Sequence, residues 1–202
     1  MRKKFCLVYS GDLKILTESD ISIALLHYPV FNKRGEIGSS AVTNLDIHDI
    51  ARLAKTYGLR KYYIVTPLED QKELVKTIVS HWTEKKGGIV NPDRKKALEI
   101  VEIFNSLDDV IDDISEEGAA PVCVSTSALR REGCRSIFEI RELIKNNKNH
   151  YLIILGTAWG LADEVFDKSD YVLEPLRGNS DYNHLSVRTA AAIIIDRLLS
   201  GR

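Results

Sequence analysis

Short apolar runs alternate with segments of helical period along most of the chain, and these two periodicities predict its elements. Residues 21–28 (ISIALLHY) read as a buried strand stopped by Pro29, and a loop rich in glycine, serine and charge follows over 32–40. Over 46–57, Ile47, Ile50, Ala51, Ala54 and Tyr57 recur on one helical face, and Gly58 closes the helix. Thr43, with Asp46 three residues on, marks its start as a variant of the capping box. Residues 61–66 (KYYIVT) form the next strand, ended by Pro67. An amphipathic helix follows over 71–82 and stops before the Gly87-Gly88 turn.

Farther along, 98–104 predicts a strand and 107–117 a helix with Leu107, Val110, Ile111 and Ile114 on one side. Strands are expected at 122–125, at 151–155 (YLIIL, apolar on both faces) and at 171–173, with a helix over 137–145. The last helix, 186–199, is apolar nearly all round through Ala190, Ala191, Ala192, Ile193, Ile194 and Ile195. It is expected either to run through the core or to form a subunit interface. The alternation predicts an α/β fold, a mainly parallel sheet with helices on both faces. Residues 1–20 break the rhythm: apolar stretches at 5–9 and 13–17 flank Ser10-Gly11-Asp12 and read as a hairpin-like extension. Residues 21–202 then form a single domain.

Composition narrows this picture. The 202 residues, 44% hydrophobic and 28% charged, have the balance of one soluble globular domain. No apolar run approaches the ~20 residues that span a bilayer. The basic, then apolar, N-terminus is interrupted too early for a signal peptide. A cytoplasmic protein with no membrane partner is expected. Three cysteines, at 6, 123 and 134, exclude a disulfide framework and give no zinc spacing; Cys6 and Cys123 sit in apolar runs and are expected in the core. The net charge of −1 argues against nucleic-acid binding by bulk charge alone. Six acids, however, crowd into 108–117, where a solvated helix face is expected. Setting those six aside leaves 23 acids against 28 bases, so the remainder is modestly basic.

Absent motifs narrow the chemistry: there is no G-x-G-x-x-G after the first strand, no P-loop and no G-x-S-x-G. The five histidines show no metal-ligand spacing, and no metal site is expected. The strand at 151–155 runs into Gly156-Thr157-Ala158-Trp159-Gly160-Leu161, and the strand at 171–173 into Glu174-Pro175-Leu176-Arg177-Gly178. A polar loop over 179–186 then enters the last helix. Two glycine-bearing strand ends and a polar helix entrance form a composite pocket where open α/β sheets place ligands. On spacing alone, tight structural turns or a nucleotide or sugar-phosphate enzyme fit as well. Upstream, His48 and Arg52 share one helical face with Leu45 and Lys55, and Asp49 is spaced to hold the Arg52 guanidinium. A solvent-exposed ion-pair face has the same pattern. His27, closing the first strand, faces the same sheet edge or is a satisfied core histidine.

The segments Leu155-Gly156-Thr157-Ala158-Trp159-Gly160-Leu161, Leu173-Glu174-Pro175-Leu176 and Asn183-His184-Leu185-Ser186-Val187-Arg188-Thr189-Ala190-Ala191-Ala192 together resemble the C-terminal signature of the SPOUT superfamily. These are S-adenosylmethionine-dependent RNA methyltransferases with a trefoil knot. The likeness covers residues 21–200 and is nearest to small bacterial SPOUT proteins encoded beside, or fused to, the tRNA guanine-N1 methyltransferase. It implies a C-terminal trefoil knot, a homodimer with active sites near the subunit interface, and tRNA or rRNA as substrate. An associated tRNA methyltransferase is implied as a partner. The cofactor contacts it implies are Thr126, Leu155, Gly156, Thr157, Gly160, Leu173, Glu174, Leu176, His184, Leu185 and Ser186, with adenine held largely by backbone groups. The stretch from Asn44 to Gly58 is similar to the family's N-terminal motif, Arg52 and Gly58 keeping its spacing. Asp46 stands where ribose-methylating members have Asn, so base versus ribose remains open. Methyl transfer from a sulfonium is an in-line displacement needing orientation above all. A guanidinium is a poor base, so Arg52 is assigned to clamp a phosphate or polarise the acceptor. Asp46 or His48 is the candidate proton acceptor. A non-catalytic RNA-binding partner of a modification enzyme is the alternative.

Overall fold

Apolar side chains alternate between the two faces of each central strand, which lets the strands be buried on both sides. The computed structural model describes residues 20–200 and contains β1 (Ile21–Leu26), β2 (Val30–Phe31), β3 (Ile37–Gly38), β4 (Tyr62–Val65), β5 (Val101–Phe104), β6 (Val122–Thr126), β7 (Tyr151–Gly156) and β8 (Tyr171–Leu173). In β1, Ile21, Ile23 and Leu25 join one apolar cluster while Ala24 and Leu26 join the other. In β7, Ile153 and Leu155 face the first cluster, and Leu152 and Ile154 the second. Six strands form one sheet in the order β5-β4-β1-β7-β6-β8, with every neighbouring pair parallel. All six carboxyl ends therefore lie along one edge.

The helices are α1 (Asn44–Thr56), α2 (Glu69–Thr83), α3 (Gly87–Val90), α4 (Pro92–Leu98), α5 (Leu107–Glu116), α6 (Ile137–Asn146), α7 (Asp163–Asp167) and α8 (Val187–Leu199). Buried residues of α1, α2, α4, α6 and α8 complete the first cluster, and those of α5 and α7 the second. The expected α/β fold, with helices on both faces, is observed. Among the described residues no helix is long and apolar enough to cross a membrane. The hairpin-like extension expected over residues 1–20 lies outside the described residues except for Asp20, as does Cys6; Cys123 is buried in the core.

Several elements differ from their expected form. The loop at 32–40 contains the small antiparallel pair β2–β3. Asn32 shapes its turn: the side-chain oxygen accepts from the Arg34 and Glu36 backbone N–H groups at 2.7 and 3.1 Å, and Gly35 adopts φ 76°. Two-residue strands are too short to show a period. The stretch following α2 forms α3 and α4, and β5 begins at Val101, not at 98. Asn91 starts α4 by accepting from the Arg94 N–H, with Pro92 in the first turn. No sequence period announces the five-residue α7. The last helix buries one face, through Ala191, Ile194, Ile195 and Leu198, and leaves Ala192 exposed. The acidic helix is only partly solvated, because Asp113 accepts from Lys61 at 3.0 Å and from the Tyr63 hydroxyl at 2.8 Å.

The strand order runs outward from β1 in one direction and resumes on the other side with β6–β8, so the chain reverses at the β1–β7 pair. Open α/β sheets place ligands at such a reversal, on the carboxyl edge. A buried polar chain bridges the reversal. The Thr157 hydroxyl donates to the Leu26 carbonyl at 2.9 Å, Ser40 Oγ lies 2.5 Å from Thr157 Oγ1, and His27 Nδ1 lies 2.9 Å from Ser40 Oγ. A carbonyl can only accept, so the donors run in one direction: Ser40 donates to Thr157, and His27 donates through Nδ1–H. His27 is therefore assigned the neutral Nδ1–H tautomer, with Nε2 buried and unpartnered. Burial is the main cause that lowers its pKa to about 4. The expected satisfied core histidine is thus satisfied at one nitrogen only.

Two outcomes follow from this chain. Ser40→Ala leaves the buried His27 N–H without an acceptor and should lower stability by about 1–3 kcal/mol, read as a shifted urea midpoint at neutral pH. The protonated imidazole is favoured in the unfolded chain, near pH 6.5, over the folded one, near 4. Its contribution is therefore complete above the unfolded value and lost as pH falls through the folded one, on the order of 3 kcal/mol in all. Urea midpoints for wild type should fall between pH 6.5 and 4 more steeply than those of His27→Gln.

Candidate active site

The loops leaving β6, β7 and β8 gather at the carboxyl edge, and hydrogen bonds tie them together. The Arg135 N–H donates to Val172 O and the Glu174 N–H to Arg135 O, both at 2.8 Å, joining the loop after β6 to the end of β8. Asn183 Nδ2 donates to Ala128 O at 3.0 Å, drawing the 179–186 loop onto the same group. The loop after β7 is held against β2: the Phe31 N–H donates to Gly160 O at 2.8 Å and the Trp159 N–H to Phe31 O at 3.0 Å. Gly160 adopts φ 107° and Ala158 φ 51° in this turn. A Cβ on Gly156 would lie 2.8–2.9 Å from Leu161 atoms, its backbone nitrogen included, so the turn closes only over glycine.

The side chains expected to touch a cofactor divide by what they already do. The Thr126 hydroxyl donates to Ile154 O at 3.0 Å, Thr157 lies in the buried chain, and Ser186 caps α8 by accepting from the Thr189 N–H at 3.3 Å. Leu155 and Leu173 belong to the core, and Leu176 packs against it. His184 and Leu185 are exposed, with the Tyr182 ring 5.3 Å from that of His184. All three hydroxyls are thus engaged in the scaffold. What remains for a ligand is backbone groups, leucine surface and the half-buried Glu174. Backbone donors and acceptors beside leucine surface suit the neutral, planar adenine of S-adenosylmethionine.

On α1 the three candidate catalytic residues part company. Asp46, 8% exposed, accepts from the Thr43 hydroxyl at 2.6 Å, and Arg188 Nε lies 3.1 Å from its other oxygen, at ion-pair distance without hydrogen-bond alignment. Asp49 accepts from Arg188 at 2.8 Å. The expectation that Asp49 holds Arg52 is therefore corrected: α8 packs beside α1 and delivers Arg188 to both acids. Arg188 lies two residues beyond Ser186 and so couples α1 to the exit of the 179–186 loop. His48 meets the Trp82 ring edge-on at 5.8 Å, and its Nδ1 is buried without a partner. Burial first, then the neighbouring Arg94, lowers its pKa. Arg52 is exposed and lines a groove with Lys55 and Arg94. Within one chain, then, Asp46 faces α8, while His48 and Arg52 face α2 and α4.

Sequence reasoning missed Ser40 and the role of Arg188. Two acids one helical turn apart, with an arginine just inside the last helix, are the sequence signal for Arg188. Nothing in the sequence marks Ser40. Among the described residues no cluster of three or more His, Cys, Asp or Glu could hold a metal ion.

Comparison with known proteins bears on the function class that loop spacing left open. A family model described as SAM-dependent RNA methyltransferase matches residues 20–200. The chain is 43% identical over 197 residues to a tRNA (guanine-N(1)-)-methyltransferase of Oleidesulfovibrio alaskensis, covering 94% of this chain but only 46% of that protein. It is 39% identical to an uncharacterized protein of Aquifex aeolicus, covering 92% of this chain and 91% of that one. In structure it is similar to the SpoU methyltransferase AviRb from Streptomyces viridochromogenes in complex with AdoMet. There the TM-score is 0.56 at 15% identity, over 91% of this chain and 61% of the other. With the loop cluster at the sheet's carboxyl edge and a family match over nearly its whole length, the chain belongs to the SAM-dependent RNA methyltransferase family.

Proposed function

We propose that this chain transfers the methyl group of S-adenosylmethionine to a nucleotide of tRNA, and does so as a cytoplasmic homodimer. The observation that carries the reading is the set of joined loops at the sheet's carboxyl edge, whose hydroxyls are engaged in the scaffold and whose free backbone suits adenine. The relative in Oleidesulfovibrio alaskensis supports tRNA as substrate class and an associated tRNA methyltransferase as partner, this chain spanning under half of it. Residues 21–202 form the catalytic domain, with 1–20 as an extension. A trefoil knot agrees with the path of the chain. From β7 it must pass β6 to reach β8 on the far side, and α8 then returns to pack on α6 and α1.

When bound, the cofactor supplies a methyl group on a sulfonium, activated for in-line displacement. The residues orient and exclude water. Glu174 and the 156–160 backbone would hold the cofactor, together with His184, Leu185 and the Ser186 backbone. Arg188 fixes α1 against that loop through Asp46 and Asp49. Because Asp46 is engaged by Thr43 and Arg188, His48 is the better proton acceptor, kept neutral by burial and Arg94. Arg52 holds a phosphate beside the acceptor. The separation of Arg52 and His48 from the cofactor loops within one chain supports an active site completed across a dimer, for which the uncovered Ala192 side of α8 is the contact. The same separation is the observation that favours a second reading, a non-catalytic RNA-binding partner.

Calorimetry with S-adenosylmethionine tests the first step. Micromolar binding, about −8 kcal/mol, is expected for wild type. Gly156→Val should abolish it, because its Cβ meets the Leu161 backbone. Gly160→Ala, strained at φ 107° but free of a clash, should weaken it by about tenfold if the first variant fails to fold. Arg52→Ala should keep cofactor affinity and lose methyl transfer to tRNA. Wild type that binds cofactor yet methylates no RNA would favour the non-catalytic reading, and absence of cofactor binding would overturn both the pocket and the mechanism.

A further inference from the structure

Between α1 and α4 lies a groove of about 450 Å³, lined by Arg52, Lys55, Arg94, Lys96, Asn91 and Asp93 among others. Four cations share it with one carboxylate, Asp93, which already pairs with Lys96 at 3.2 Å. Other cations packed on the sheet and on α8 are matched: Lys61 lies within 3.4 Å of Glu102, Asp113 and Glu117, Arg60 pairs with Asp20 and Glu117, and Arg188 with two acids. Among the described residues, no carboxylate is within ion-pair distance of Arg52, Lys55 or Arg94. The unmatched charge is also held in place. The Arg94 guanidinium sits 4.7 Å from the Trp82 ring centroid, and the Arg94 N–H is capped by Asn91 at 3.0 Å. Repulsion from Arg94 and Arg52 reaches His48, adding to burial in disfavouring its cation.

A solvated surface gains nothing by fixing like charges together, whereas a polyanion binding there would release counterions and neutralise them. We infer that the α1–α4 groove is a docking site for the sugar-phosphate backbone of RNA, in which Arg94 and Lys96 extend contacts begun by Arg52 and Lys55. Arg94, planar and stacked on Trp82, is suited to bidentate phosphate contact, and Lys55 and Lys96 act as point charges on either wall. On this reading α4, which no periodicity announces, supplies half of the groove. The groove is separate from the cofactor loops and rests on the RNA methyltransferase reading for its ligand.

The test uses the full chain and a fluorescein-labelled tRNA, with anisotropy titrations between about 50 and 200 mM salt. The double variant Arg94→Ala/Lys96→Ala should weaken binding by about tenfold or more at the low-salt end and reduce the log–log salt slope by about 2, one per lost phosphate contact. Lys55→Glu, exposed and outside the Trp82 stack, should weaken binding in the same direction and serves if the double variant fails to fold. Both should bind S-adenosylmethionine as wild type does in calorimetry. Unchanged affinity and slope in folded variants would overturn the groove while leaving the methyltransferase reading intact. So would displacement of the tRNA by polyglutamate at equal charge concentration, which would assign the groove to an acidic protein segment. Wild type that binds neither tRNA nor cofactor would overturn the methyltransferase reading together with the groove.

Discussion

The β1–β7 pairing is the constraint on which the rest of this molecule depends. These two strands sit at the centre of a wholly parallel sheet, apolar on both faces, and the chain changes direction between them. Parallel strands need crossovers, and crossovers put every strand's exit on one edge. The loop after β7 is fastened to the end of β1 by Thr157, to the segment before α1 through Ser40 and His27, and to β2 by two backbone hydrogen bonds. A loop anchored to three separate parts of the chain has little left to order on binding. The unpartnered His27 Nε2 is the cost of burying a two-nitrogen ring in a chain with one acceptor.

Much of this was legible in the sequence because it rests on periodicity and on strand ends. β4 and β7 are apolar almost throughout, and β1 is broken only by Ser22; parallel sheets buried on both faces are the architecture that tolerates such runs. The glycine loops after β7 and β8 stand out for the same reason, since they interrupt apolar strands abruptly. The elements that escaped are short and held by side-chain hydrogen bonds. β2 and β3 depend on Asn32, and α4 depends on Asn91 with Pro92, and neither produces a hydrophobic period. The strand expected over 98–104 begins three residues late because Leu98 closes α4, whose start at Asn91-Pro92 is set by a cap and not by a hydrophobic period.

The candidate site was legible as residues but not as geometry. His48 and Arg52 do share a face of α1, as their four-residue spacing requires. What that face meets depends on α2 and α4, which no local rule could supply. Asp46 and Asp49 illustrate the converse. Their spacing invites a partner on the same helix, yet a guanidinium from α8, some 139 residues away in sequence from Asp49, takes both. A cation delivered by a packed helix is better positioned than one on a flexible neighbour of the same face, and it leaves Arg52 free of a carboxylate. Arg188 therefore determines the electrostatics of two regions, by holding α1 beside the 179–186 loop and by removing the acid that would have neutralised Arg52.

That redistribution explains how a chain with net charge −1 can present a working positive face. Exposed ion pairs contribute about 0–1 kcal/mol each, so the value of the matched pairs lies less in stability than in where they leave charge. Asp113 and Glu117 at the end of α5 engage Lys61 and Arg60 beside the start of β4, near the sheet's amino edge. Asp46 and Asp49 engage Arg188 at the start of α8. With these acids assigned, Arg52, Lys55 and Arg94 stand together without a carboxylate partner, and Trp82 keeps the most buried of them aimed rather than folded back on a carboxylate. Screening at physiological salt acts over about 8 Å, so a polyanion responds to this local field and not to the net charge of the whole chain.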